Sequence, residues 1–406
     1  MTIFASVLRR NIRRGTLELI EPDGSREVFG EGPPRVVWRF HNRRAMARIA
    51  IDPEFMLGQS YMDGAWDLEY GSLTDLLQVL TTNFRQPSDR PRWQRRLLRW
   101  AQPLQQWNRV ATSRRNVATH YDLDETLFRA CLDQELNYSC AYFESPGISL
   151  EEAQQAKCAH IGRKLLLEPG QSVLDIGCGW GSLALHLAEH YDVSVTGLTL
   201  STEQKRVAEE RIQQRGFKGR VRILLQDYRE HADTYDRVVS VGMFEHVGVP
   251  YYPQFFETVR ERLKPGGVAL IHTIGRSGPP SVTNAWIRRY IFPGGYIPAL
   301  SEIAPAIEPT GLVMTDVEIL REHYANTLAA WQERFQAQRE PFAGEKGEHF
   351  CRMWEFYLAA SETAFRHRGM VVFQIQLQKG TETVVPVTRS YLYPSGAKGP
   401  PEPDRP

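Results

Sequence analysis

Three groups of residues in this 406-residue chain combine side-chain types and spacings suited to chemistry. The first is a glycine-rich stretch, Asp175-Ile176-Gly177-Cys178-Gly179-Trp180-Gly181, which follows an apolar run and precedes an amphipathic one. Glycine lets the backbone turn sharply and brings a ligand against main-chain N–H groups. A dinucleotide loop spaces its glycines Gly-x-Gly-x-x-Gly, so its third glycine would fall at 182, where the chain has Ser182. The tighter Gly-x-Gly-x-Gly pattern, with Asp175 before it, suits a ligand without a pyrophosphate. It points to S-adenosylmethionine over NAD, and the absence of lysine from the loop excludes a P-loop.

The second group follows the next two strand-like runs. Thr199 and Gln204 are the polar residues where an acid more often holds a ribose, and Asp227 and Tyr228 would flank an adenine by their position in the fold. Ser201, with Gln204 three residues on, also reads as a helix-capping box, and the two roles can coexist. The third group comprises Glu245 in Gly242-Met243-Phe244-Glu245-His246-Val247-Gly248, His272 in His272-Thr273-Ile274, and Cys140 in Tyr138-Ser139-Cys140. His272 read alone is an ordinary hydrogen-bonded core histidine, and Cys140 a small buried hydrophobe. Glu245 is different, because a carboxylate at the exit of an apolar strand is costly to bury without a partner.

The elements that must position these groups form an alternating series. Segments 172–176, 194–198, 221–225, 236–241 and 268–274 read as strands; 182–191, 201–215 and 254–263 read as helices, and 312–320 and 371–377 are further strands that could complete a sheet. Near-continuous apolar strands separated by amphipathic helices predict an α/β fold, a doubly wound Rossmann-like sheet covered on both faces. Residues 1–83 mix short strands and turns such as Glu21-Pro22-Asp23-Gly24, and end in a helix over 73–80, which predicts a smaller α+β domain. A basic Arg/Trp linker over 84–116, a catalytic domain over 117–390 and a Pro-rich disordered tail over 391–406 complete the division.

Lys and Arg total 49 against 48 Asp and Glu, a formal net charge of +1 that disfavours a nucleic-acid partner. The mean hides a polarised chain: residues 1–116 carry net +7 and the remainder net −6. The five cysteines lack paired metal spacing, so no metal is expected, and their odd number argues against a disulfide framework. No run of about 18 apolar residues spans a bilayer. The expected location is cytoplasmic.

Taken together, the motifs resemble the cyclopropane-fatty-acyl-phospholipid synthases over roughly residues 50–380. The resemblance rests on Tyr61-Met62-Asp63-Gly64, His120-Tyr121-Asp122-Leu123, Tyr138-Ser139-Cys140 and the glycine loop. It extends through Leu198 to Ser201, Gln226-Asp227-Tyr228, the Glu245 and His272 motifs, Tyr290 to Gly295, and His323-Tyr324. It implies a Rossmann-like methyltransferase that adds a methylene from S-adenosylmethionine across the cis double bond of a phospholipid acyl chain. It also implies a bound bicarbonate, held by Cys140, Glu245, His272, the Ile274 backbone and Tyr324. Tyr138, Ser139, Asp175, Gly177, Gly179, Gly181, Thr199, Gln204, Asp227 and Tyr228 fall on the family's cofactor contacts. Some relatives carry a cysteine near 357–364 where this chain has Ser361, so no thiol role is assigned there. The same site could instead give a methyl-branched or methylene product. Small-molecule N-methylation and non-catalytic lipid binding are the more distant readings, and a homodimer is a candidate assembly.

An enzyme acting on bilayer acyl chains must reach the lipid without spanning it. Trp93, Leu97, Trp100, Leu104 and Trp107 recur at helical spacing as one apolar stripe flanked by Arg92, Arg95, Arg96, Arg99 and Arg109, interrupted by Pro103. Trp on a basic amphipathic face suits an anionic lipid surface and a peripheral position on the inner face of the membrane. The competing reading packs the stripe between the two domains. The double variant Trp93→Ala/Trp100→Ala should sediment less with anionic liposomes than the wild type does; equal sedimentation would remove the lipid assignment.

Overall fold

The structure is a computed structural model that describes residues 2–84, 125–382 and 384–393. The tryptophan stripe and the His120 motif lie outside these residues, as does most of the tail. The N-terminal part holds a helix Ile3–Asn11 and strands β1 (Arg14–Ile20), β2 (Arg26–Phe29), β3 (Glu31–Phe40) and β4 (Trp66–Tyr70) in the order β2-β1-β3-β4. Alternate residues Leu17 and Leu19 of β1 and Val36, Trp38 and Phe40 of β3 are buried, as the period of two requires. Phe4, Phe40 and Trp66 pack around Trp38, with ring centroids 4.7–5.6 Å apart. The turn at residues 21–24 forms as its residues predict, with Gly24 at φ +85° and its N–H donated to the Glu21 carbonyl. A reciprocal Ser72–Asp75 capping box starts the helix Leu73–Asn83.

The catalytic part is built on strands β5 (Ser172–Ile176), β6 (Ser194–Thr199), β7 (Val221–Leu225), β8 (Tyr235–Val241), β9 (Leu263–Arg276), β10 (Leu312–Leu320) and β11 (Met370–Lys379), in the order β10-β11-β9-β8-β5-β6-β7. Neighbours from β9 through β7 are parallel, and β11 runs antiparallel to both β9 and β10. Val238 and Ile271 pack into one core with Phe255 and Val259, whereas the adjacent Val239 and Leu270 pack into another with Leu185 and Ala188. Successive residues serving opposite cores is what a doubly wound sheet demands. Three helices, Glu322–Ala337, Arg339–Lys346 and Glu348–His367, are inserted between β10 and its antiparallel neighbour β11.

That insertion joins the two parts. Helix Glu348–His367 packs against helices Pro53–Met62 and Leu73–Asn83, and one hydrophobic cluster runs from Trp38 to Tyr357. Tyr61 donates its hydroxyl to Glu355 at 3.1 Å, and Thr74 donates to Glu362 at 3.3 Å. Gly58 lies so close to Trp286 and Phe356 that an added Cβ would meet both at 2.7 Å. The segment 1–83 is a separate unit in sequence, but it shares its core with the catalytic part. Among the described residues no helix is long and apolar enough to cross a membrane.

Candidate active site

The turn after β5 is shaped by its glycines. Gly177, Gly179 and Gly181 all have positive φ, and the N–H groups of Gly177 and Cys178 both donate to the Leu198 carbonyl. The turn, the ends of β6 and β7, and the segment 136–139 enclose one cavity. Nine of the ten expected cofactor residues line it: Tyr138, Ser139, Asp175, Gly177, Gly179, Thr199, Gln204, Asp227 and Tyr228. Gly181 does not. It precedes helix Ser182–Tyr191 at φ +79°, and a Cβ there would come within 3.0 Å of the Ala208 Cβ, so this glycine serves close helix packing.

Each polar group in the cavity has a defined state. Thr199 donates to the Gln204 side-chain oxygen at 2.8 Å, and Ser201 caps the following helix by accepting from the Gln204 N–H; the Ser201 N–H goes to Thr199 Oγ1, so the reciprocal half of the expected capping box does not form. Asp227 is chelated by the Arg229 guanidinium at 2.7 and 2.8 Å. Asp175 is buried with Oδ2 lacking a hydrogen bond, and burial pushes its carboxyl up to about 7 against the opposing pull of Lys157. A cavity of backbone turns, an orphaned carboxylate oxygen, a hydroxyl–amide pair and aromatic edges fits a zwitterionic nucleoside ligand.

The second cluster forms where β8 and β9 end. The N–H of Gly242 donates to the His272 carbonyl, and the chain then folds into a 3₁₀ turn, Phe244–His246. This brings Glu245 Oε1 to 2.6 Å from the Ile274 N–H and leaves Oε2 buried without a hydrogen bond. Burial pushes the Glu245 carboxyl up to about 7, and the Ile274 N–H opposes the shift. Burial likewise pushes His272 down to about 3. The Gln374 amide nitrogen stands 3.2 Å from His272 Nδ1 and can only donate, so the neutral ring carries its proton on Nε2. Of the Ile274 backbone, expected to face an anion, the N–H is already engaged by Glu245.

Cys140 and Tyr324 lie on other elements, and both belong to the hydrophobic cluster that includes Trp331 and Phe365. Cys140 is buried, its thiol held protonated by burial and donating to the Ala141 carbonyl at 3.3 Å. The next two anchors tie this segment to helix Glu322–Ala337: Ala141 N–H to Thr327 Oγ1 at 3.0 Å, and Phe143 N–H to His323 Nδ1 at 3.0 Å. Tyr324 packs against Trp331 and Phe365, and Ile274 adjoins the same cluster as Cys140. Tyr138 links this chamber to the cofactor cavity. Its ring stacks on Trp331 at 5.2 Å, and its hydroxyl lies 2.9 Å from that of Tyr357, itself 5.9 Å from Phe292.

Sequence reasoning passed over Lys157, Asn137 and His246, all of which line the cavity. Lys157 had a visible signal. Ala153, Lys157, Ile161 and Lys164 recur at helical spacing along helix Leu150–Lys164, so two of the chain's eight lysines occupy its inner stripe.

The sequence matches the mycolic acid cyclopropane synthetase family over residues 108–375. The chain belongs to this family. It is 40% identical over 364 residues to the cyclopropane-fatty-acyl-phospholipid synthase of Escherichia coli strain K12, covering 89% of this chain and 92% of that one. It is 37% identical over 390 residues to a tuberculostearic acid methyltransferase of Mycobacterium tuberculosis, covering 91% and 89%. The solved mycolic acid cyclopropane synthase CmaA1, complexed with SAH and CTAB, superposes with a TM-score of 0.62 at 35% identity, covering 66% of this chain and 98% of that one. The enzyme is an S-adenosylmethionine-dependent methyltransferase.

The buried carboxyls give the protein a specific pH response. Asp175 titrates near 7 when folded and near its ordinary value, about 4, when unfolded. Between those values the folded chain binds more protons, so stability from this group is full at the acid end and is lost as the pH rises through about 7. Asp175→Asn cannot titrate, so its stability relative to wild type should rise by on the order of 2 kcal/mol between about pH 5 and pH 8 in urea denaturation. An equal difference at both values would show that Asp175 ionises normally.

Proposed function

We propose that the enzyme adds a methylene from S-adenosylmethionine across the cis double bond of an unsaturated phospholipid acyl chain, forming a cyclopropane ring with bicarbonate as base. The observation that supports this most directly is the junction at Tyr138, where a cofactor cavity meets an aromatic chamber holding a sparse polar set. When bound, S-adenosylmethionine supplies an electrophilic methyl group. An alkene is a weak nucleophile, so the chain must hold it at near-attack distance and keep water away. Methylation leaves a carbocation on the neighbouring carbon, and loss of a proton from the new methyl closes the ring. Tyr138, Trp331, Tyr357 and Phe292 offer π faces and edges to that cation in place of a nucleophile that would quench it.

The polar set fits a small oxyanion that both donates and accepts. Bicarbonate there would supply a compact base. The His272 Nε2–H has no hydrogen-bond partner among the described residues, and Glu245 Oε2 is orphaned. A carboxyl held near 7 is accessible as the carboxylate at neutral pH, and in that form it would take over the proton that the anion removes from the new methyl. Cys140 and Tyr324 would complete the set, and Ile274 would act through the Glu245 carboxyl its N–H holds. The tuberculostearic relative favours a second reading, in which the same cation ends as a methyl branch. The lipid surface would be engaged by the tryptophan stripe on the inner face of the membrane, with a second copy of the chain as a further candidate partner.

Mass spectrometry of host phospholipids with and without expression should show a gain of one CH2 on unsaturated chains, with fragments that mark a ring. Lipids without that gain would overturn the proposal, and a fragment series marking a branch would replace the ring with the second reading. Glu245→Gln should lose most turnover while binding S-adenosylhomocysteine as wild type does, measured by paired rate and titration experiments. Wild-type turnover in that variant would remove the bicarbonate assignment.

A further inference from the structure

A buried ammonium is stable only when a charge or a full set of hydrogen bonds replaces its water. Lys157 is 2% exposed and lines the cofactor cavity. Its Nζ donates to two neutral oxygens, Asn137 Oδ1 at 2.9 Å and Ser139 Oγ at 3.1 Å, and it forms no ion pair among the described residues. Lys164, two stripe positions further along the same helix, is equally buried but pairs with Glu318 at 2.6 Å. The Asn137 oxygen also accepts from Ser182 at 2.7 Å, so Lys157 shares it. An ammonium has three N–H groups, and these contacts use two.

The position of Lys157 in the cavity indicates what it meets. The sheet presents its strands there in the order β8, β5, β6, β7. The adenine pair, Asp227 and Tyr228, lies beyond β7, and the ribose pair, Thr199 and Gln204, beyond β6. Lys157 stands at the opposite end, with Ser139 and the turn after β5. We infer that Lys157 binds the carboxylate of the methionyl end of S-adenosylmethionine, and that this carboxylate supplies the directly bonded counter-charge that no side chain provides among the described residues. The inference rests on that cofactor occupying the cavity. It makes Lys157 a cofactor-binding residue that ties the amino-acid end of the ligand to the segment bearing Tyr138 and Cys140.

That segment does not depend on Lys157 alone. The Gln154 side chain donates to the Asn137 and Ser139 carbonyls at 3.3 and 3.0 Å, so replacing the lysine leaves its backbone anchored. The test is calorimetric titration of the full chain with two probes: S-adenosylhomocysteine, and its decarboxylated analogue, which keeps the amine and lacks the carboxylate. In Lys157→Met, affinity for S-adenosylhomocysteine should fall about tenfold to a hundredfold, the range expected for a charge-assisted hydrogen bond, while the analogue binds as to wild type. Lys157→Gln retains hydrogen bonding without charge and should show the same selective loss, so the test survives if one variant misfolds. Unchanged affinity for S-adenosylhomocysteine, or equal loss for both probes, would overturn the inference. Failure of the wild type to bind either probe would instead overturn the cofactor assignment.

Discussion

The constraint on which the candidate site rests is the burial of a carboxyl, an imidazole and a thiol, those of Glu245, His272 and Cys140. Each is costly to desolvate in its charged form, and each is held near neutrality by that cost: Glu245 up to about 7, His272 down to about 3 and Cys140 firmly as a thiol. The bond from the Ile274 N–H to Glu245 opposes the desolvation. It exists because β8 and β9 pair in parallel with Val241 opposite His272, which lets the chain turn back over the end of β9. Tyr296, whose N–H donates to the Glu245 carbonyl at 3.0 Å, holds that turn from outside.

One helix packs against both parts within a single hydrophobic cluster. Glu348–His367 presents Tyr357 to Tyr138 and Phe292 on one side and Glu355 and Glu362 to the N-terminal part on the other. Glu355 is buried and satisfied by Arg339 at 2.6 Å and Gln336 at 2.8 Å as well as by Tyr61, so the junction is a specific polar network within apolar packing. The Arg352 guanidinium lies over the Tyr61 ring at 4.9 Å and pairs with Asp67 at 2.8 Å.

The strands of the catalytic sheet were legible because burial on both faces makes them short, near-continuous apolar runs with glycine or helix signals between them. The cofactor turn was legible because its glycines meet a backbone requirement that side chains cannot meet. Lys157 was missed because lysine is ordinarily a surface residue, and only its place on the inner stripe of a helix marks it as buried. Gly181 shares its motif with Gly177 and Gly179, yet its Cα turns to a neighbouring helix that is distant in sequence. The partner of the Ile274 N–H was equally hidden, since a backbone donor carries no residue-type signal.

Local pattern by itself determined the order of the strands and helices of the sheet and pointed to the cofactor class. Those properties follow from period, turn chemistry and the reach of neighbouring groups along the chain. Only the tertiary structure decided that β11 runs against its neighbours, that residues 1–83 share a core with Tyr357, and that Lys157 stands inside with no directly bonded acid among the described residues. Strand direction, shared cores and charge compensation are set by which surfaces exclude water from one another, and those surfaces meet only when the chain is folded.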